Sequence, residues 1–235
     1  MSTDQQKYLE ELEKISSATK NLGRQLHAIT PNISMFDLYL ITALNRTVNI
    51  NKAFDDLSKA NNFIAAAPLV RINLDTLLRL YAARLSKDGL NEFARRVILD
   101  HKQINEMKSF EKDDKNQFRK LTDNYLKKSL SSIEGYDWVE KVYNVGSSFI
   151  HLDGSLFFAS RSIISDEDRT MKLTIGTHDS FIPNSEKEGA TIWMIKITSG
   201  IIQQAQLWMI EKAKAHNFDI EKLNHLDDPK NSEEE

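Results

Sequence analysis

Apolar residues recur every three or four positions through most of the chain, a spacing that predicts helices rather than strands. Tyr8, Leu12, Ile15, Leu22, Leu26 and Ile29 mark a first helix over 5–29, which Thr30-Pro31-Asn32 breaks. Ser34 is placed to cap a second helix that runs to about Lys59, with Phe36, Leu40, Leu44, Val48 and Leu57 along one side. After a turn at Asn61-Asn62, residues 63–85 are apolar nearly all round, as a central helix would be. Pro68 lies within that stretch and predicts a kink or a later helix start. Further helices are expected over about 90–109, 115–131 and 136–152, and a long last one over 186–216. Between the last two, residues 160–164 and 171–175 alternate in polarity and predict a β-hairpin. The expected fold is therefore mainly all-α, a bundle of about seven helices with a small β-hairpin before the last long helix. The third, sixth and seventh helices are expected at its centre.

Composition agrees with one helical domain, expected over residues 1–226, followed by an acidic disordered tail at 227–235. Apolar residues make up 40% of the chain and charged residues 28%, while Gly (8) and Pro (4) are scarce. The absence of cysteine excludes disulfides, thiolate metal sites and cysteine nucleophiles, and fits a reducing, cytoplasmic setting. The first residues lack the apolar core of a signal peptide. The longest apolar run, 63–70, is far short of the roughly 20 residues that span a membrane, so no membrane association is expected. A net charge of −3 and lysines interspersed with acids over 102–128 leave no basic stripe for DNA. No glycine-rich phosphate loop, dinucleotide fingerprint or paired-histidine zinc motif is present, and no cofactor is expected.

Two polar stripes cut across this apolar pattern. Arg71, Asp75 and Arg79 recur every four residues on the third helix, among Leu69, Val70, Ile72, Leu74, Leu77, Leu78 and Leu80. Charges in such surroundings must be paired or face a wet cleft. One possibility is a cleft in which the arginine forks accept a carboxylate or phosphate. The other is an internal ion pair that fixes helix packing. On the sixth helix, Tyr143, Ser147 and His151 are also spaced by four, with Asn144 and Glu140 beside them. His151 would be a general base or acid, and Ser147 with His151 a nucleophile–base pair. His151 with Asp153, His178 and Asp179 would be a metal site, though no metal is the leading expectation. A hydrogen-bonded core histidine is the structural alternative. The segment Arg96-Val-Ile-Leu-Asp-His101 matches the arginine–histidine spacing of HEPN ribonucleases, a pattern short enough to arise by chance.

The segments Pro68-Leu-Val-Arg71-Ile-Asn-Leu-Asp75 and Tyr143-Asn-Val-Gly-Ser147-Ser-Phe-Ile-His151 resemble those of a family of uncharacterised bacterial all-helical proteins, a domain of unknown function. That family is distantly similar to HEPN-type helical proteins, many of which sit in defence and toxin–antitoxin loci. The resemblance covers about residues 35–210 and implies a helical fold, a homodimer and a site at Arg71, Ser147 and His151. Asp75 stands where many relatives carry glutamate. The expected function is binding of a small anionic ligand or partner at a cleft lined by Arg71, Asp75, Arg79, Tyr143, Asn144, Ser147 and His151. The alternative is a metal-independent ribonuclease acting on RNA, with His151 as base, Arg71 stabilising phosphate charge and Ser147 beside them.

Overall fold

The computed structural model describes residues 2–151, 161–165, 170–173, 176, 178 and 181–225. Seven α-helices are described: α1 (Thr3–Ile29), α2 (Met35–Lys59), α3 (Phe63–Leu85), α4 (Leu90–Ile98), α5 (Asp123–Ser131), α6 (Val139–Ile150) and α7 (Asn184–Ala215). The protein is mainly helical, and the hairpin before the last helix is present. Its strands, β3 (Arg161–Ser165) and β4 (Thr170–Leu173), pair antiparallel with Arg161 opposite Leu173. The acidic tail at 227–235 lies outside the described residues. No helix among the described residues is long and apolar enough to cross a membrane.

Local chemistry explains where the long helices start. The Ser34 hydroxyl accepts from the Asp37 N–H while the Asp37 carboxylate accepts from the Ser34 N–H, a complete capping box at the head of α2. Asn62 caps α3, which continues through Pro68 to Leu85, so the helix starts before the proline. The Asp37 carboxylate also accepts from Trp208 Nε1 at 2.7 Å and from Lys212 Nζ at 2.8 Å, clamping the head of α2 to the end of α7.

Helix α3 is the central rod, with Leu74, Leu77 and Leu78 fully buried. It is flanked by α2 and α7, and α1 closes the bundle against α2 and α7. A buried polar knot locks these four helices in register. Asn51 Nδ2 donates to Ser16 at 2.9 Å and to Thr198 at 3.1 Å, and Asn73 Nδ2 donates to Asn51 Oδ1 at 3.3 Å. Helix α6 is a shorter cover over α3 rather than a central element. It buries Val139, Val142 and Gly146 and exposes Lys141 and Asn144.

The region between α4 and α5 departs from the expected pattern of two helices. Helix α4 stops at Ile98, and His101 takes a positive φ of 51° that no helix continues through. Residues 108–120 then form a second hairpin, β1 (Lys108–Lys112) with β2 (Phe118–Lys120). Its turn is fixed by Asp113 Oδ1, which accepts the N–H groups of Lys115 and Gln117, each at 2.9 Å. Helix α5 therefore begins only at Asp123, capped by Thr122.

Candidate functional site

The late start of α5 creates the site. Asp123 opens that helix beside the middle of α3, and four helices converge there. From α3, the stripe Arg71–Asp75–Arg79 lies on one face. Arg79 Nη2 stands 3.0 Å from Asp75 Oδ1 and 2.7 Å from Asp123 Oδ1. Helix α6 lays the Tyr143 ring under the Arg71 guanidinium, 3.8 Å from its carbon, a cation–π contact. The Tyr143 hydroxyl donates to Asp123 Oδ2 at 3.2 Å. Helix α2 brings Arg46, whose Nη1 stands 4.0 Å from Asp75 Oδ2. Lys127, on α5, lies over the other part of this layer, 4.8 Å from the Tyr143 ring centre and 3.9 Å from Glu140.

Gly146 makes this convergence possible. A Cβ at that position would sit 2.8 Å from Arg71 Cβ, so only a glycine lets α6 approach α3 closely enough. The resulting stack is asymmetric in its pairing. Arg79 is well paired: burial opposes its charge, but Asp75 and Asp123 outweigh that and hold its pKa above the ordinary arginine value. Arg71 is not. It is 9% exposed, its Nε is buried with no acceptor, and its Nη1 and Nη2 stand 4.0 Å from Asp75 and 3.7 Å from Asp123, beyond hydrogen-bond length. Arg79 Nη1 is likewise buried without an acceptor. Tyr39, from α2, completes the wall. Burial pushes its hydroxyl well above the usual tyrosine range, with Arg79 and Arg46 pulling down and Asp75 pushing up.

In charge, Arg46, Arg71, Arg79 and Lys127 face Asp75, Asp123 and Glu140, which leaves one positive charge uncompensated. The arrangement is suited to accept an anion, with guanidinium donors already desolvated and held in place.

Of the residues expected at the site, Arg71, Asp75, Arg79 and Tyr143 are brought together. Asn144 lies at the edge and accepts from Lys127 Nζ at 3.1 Å. The Ser147 hydroxyl donates back to the Tyr143 carbonyl at 2.7 Å, so it is occupied within its own helix. His151 is the exposed C-cap of α6, eight residues beyond Tyr143 and so about 12 Å along the helix. Its imidazole makes no hydrogen bond or ion pair among the described residues. Arg96 pairs instead with Asp88 at 2.5 Å, and His101 is exposed in the turn after α4. Among the described residues no group of acidic and histidine side chains is placed to hold a metal; Asp153 and Asp179 lie outside them. Tyr39, Arg46, Asp123 and Lys127 join the site without having been expected there. No family model, curated protein or solved structure matches the chain.

Proposed function

We propose that the protein binds a compact oxyanion, of the phosphate or carboxylate class, at the arginine cluster where α2, α3, α5 and α6 meet. The observation that carries this reading is the Arg71 guanidinium, buried over Tyr143 with an Nε donor that meets no acceptor. Buried polar groups are nearly always hydrogen-bonded, and leaving one unsatisfied costs about 1–3 kcal/mol, more for a charged group. A bound oxyanion removes that cost. The fork of Arg71 and the spare Nη1 of Arg79 supply the charge-assisted donors, and the extra positive charge supplies the attraction. Asp75 and Asp123 hold the forks in place and limit how much negative charge the site accepts.

Thermal unfolding in phosphate, against chloride at matched ionic strength, tests this. At a phosphate concentration 100 times Kd, binding stabilises the folded state by about 2.7 kcal/mol, a rise in Tm of roughly 5–10 °C for a chain of this size. Arg71→Lys keeps the charge but loses the fork, and should abolish most of the rise. Equal Tm values in the two salts, or an undiminished rise in Arg71→Lys, would overturn the reading. The ribonuclease alternative needs an imidazole beside the phosphate-binding arginine, and the exposed position of His151 does not favour it. RNA cleavage in EDTA that vanishes in His151→Ala would bring it back.

A further inference from the structure

On its other side, the seam between α3 and α6 opens into a cavity of about 600 Å³, closed by the first turns of α7. This volume falls within the range of small-molecule sites, as does the character of the lining. Phe63 and Phe149 meet edge to face, with ring centres 6.0 Å apart, and with Phe181 and Trp193 they form the walls. Gly189 leaves the α7 side open: a Cβ there would meet nothing within 4 Å. The cavity and the arginine cluster share Gly146 as a wall but no charged group.

The ends of the cavity differ in charge. Helix α6 runs antiparallel to α3, since Phe149 meets Phe63 while Tyr143 meets Arg71. Helix α7 runs parallel to α3, since Lys187 bonds Asn61 while Gly200 packs on Leu77. Lys141 and Glu186, both in the lining, therefore stand at opposite ends, with Lys141 about 12 Å along α6 from Phe149. Glu186 belongs to the first turn of α7, whose cap residue Pro183 offers no side-chain acceptor, so the open N–H groups of that helix end compensate its charge. Lys141 has no carboxylate partner among the described residues, and it lies in the first turn of α6, where the helix end adds to its positive potential.

We propose that this cavity is a second binding site, for a small aromatic or branched apolar molecule bearing one anionic group. The apolar body lies among Phe63, Phe149, Phe181 and Trp193, and the anionic group lies at Lys141. The site is independent of the arginine cluster. It would hold amphipathic anions, whereas the cluster would take compact ones with no apolar body.

Fluorescence titration with two probes tests it: anilinonaphthalene sulfonate, an aromatic anion, and N-phenyl-1-naphthylamine, its neutral counterpart. The wild-type chain should bind both. Lys141→Met should weaken the anionic probe about tenfold, the loss of one charge-assisted contact, and leave the neutral probe unchanged. Gly189→Leu fills the cavity at a helical position that favours leucine over glycine, and should abolish both signals while unfolding remains cooperative. Val145→Phe fills it from the α6 wall and serves if Gly189→Leu fails to fold. Arg71→Lys should leave both affinities intact, which separates this site from the oxyanion site. Failure of the wild type to bind either probe, binding that survives a folded filling variant, or equal losses of both probes in Lys141→Met would overturn the proposal.

Discussion

Replacing Gly146 by alanine sets two helical effects against each other. Inside a helix, Gly→Ala stabilises by about 1 kcal/mol, because glycine loses more backbone freedom on folding. At Gly146 the new methyl would lie 2.8 Å from Arg71 Cβ and 3.4 Å from Arg71 Cα. Carbon atoms pack at about 3.5–4.0 Å, so α6 and α3 must part by roughly 1 Å. Arg71 Cβ is fixed by its own helix and no rotamer change relieves the contact. Overpacking of this kind costs about 1–3 kcal/mol, which exceeds the propensity gain and leaves a net loss of about 1 kcal/mol. The matched control is Gly23→Ala in α1, where an added Cβ meets nothing within 4 Å and the full gain should appear. Urea unfolding of both variants measures the difference, expected at about 1–3 kcal/mol with opposite signs and unchanged m-values. Equal stabilisation in the two variants would refute the close approach of α6 and α3 that seats Arg71 on Tyr143.

Asp37→Ala should destabilise by about 3–5 kcal/mol in the same assay, because it leaves Lys212 buried without its partner. Burial pushes the Asp37 carboxyl up, but Lys212, the Ser34 N–H and Trp208 outweigh that and hold its pKa below the ordinary value. Its contribution to stability is thus complete above the unfolded carboxylate pKa of about 3.9 and is lost as pH falls through the lower folded value. Asp37→Asn should flatten that part of the acid unfolding curve, below about pH 4; an unchanged curve would show that Asp37 does not contribute to acid stability. Asn51→Leu strips partners from Ser16, Asn73 and Thr198 in the core and should cost roughly 2–3 kcal/mol by urea unfolding. A cost below 0.5 kcal/mol would show that the knot is not a determinant of helix register.

The long elements were legible because their signals are local and repeated. The α2 capping box, the apolar belt of α3 and the 3.6-residue period of α1 each state their helix without reference to the rest of the chain. The 108–120 hairpin was not legible, since among its first strand's residues only Ser109 is buried and the alternation is lost among exposed charges. The turn at Asp113 and the Thr122-Asp123 helix start were the available signals. A helix over 115–131 would put Asp123 in mid-helix on a solvated face, away from Arg71, Arg79 and Tyr143, which it ties together in the structure. The four-residue stripe on α3 was visible because it is periodic. The stripe on α6 was visible too, but periodicity says only that residues share a face. It does not say which turn of the helix meets the α3 stripe: Tyr143 does, and His151 lies two turns further on, about 12 Å along α6. Tyr39 and Arg46 reach the site from a different helix, a tertiary fact with no local trace.

The buried Nε–H of Arg71, which meets no acceptor, is the donor proposed to take the oxyanion. Its ¹⁵N–¹H resonance, assigned by its loss in Arg71→Lys, reports this directly in a phosphate titration. Phosphate bound at Arg71 should give a saturable downfield shift of that one resonance, with slowed solvent exchange, at the concentrations that raise Tm. A resonance that stays in place while Tm rises would contradict it, because phosphate would then be acting elsewhere on the protein.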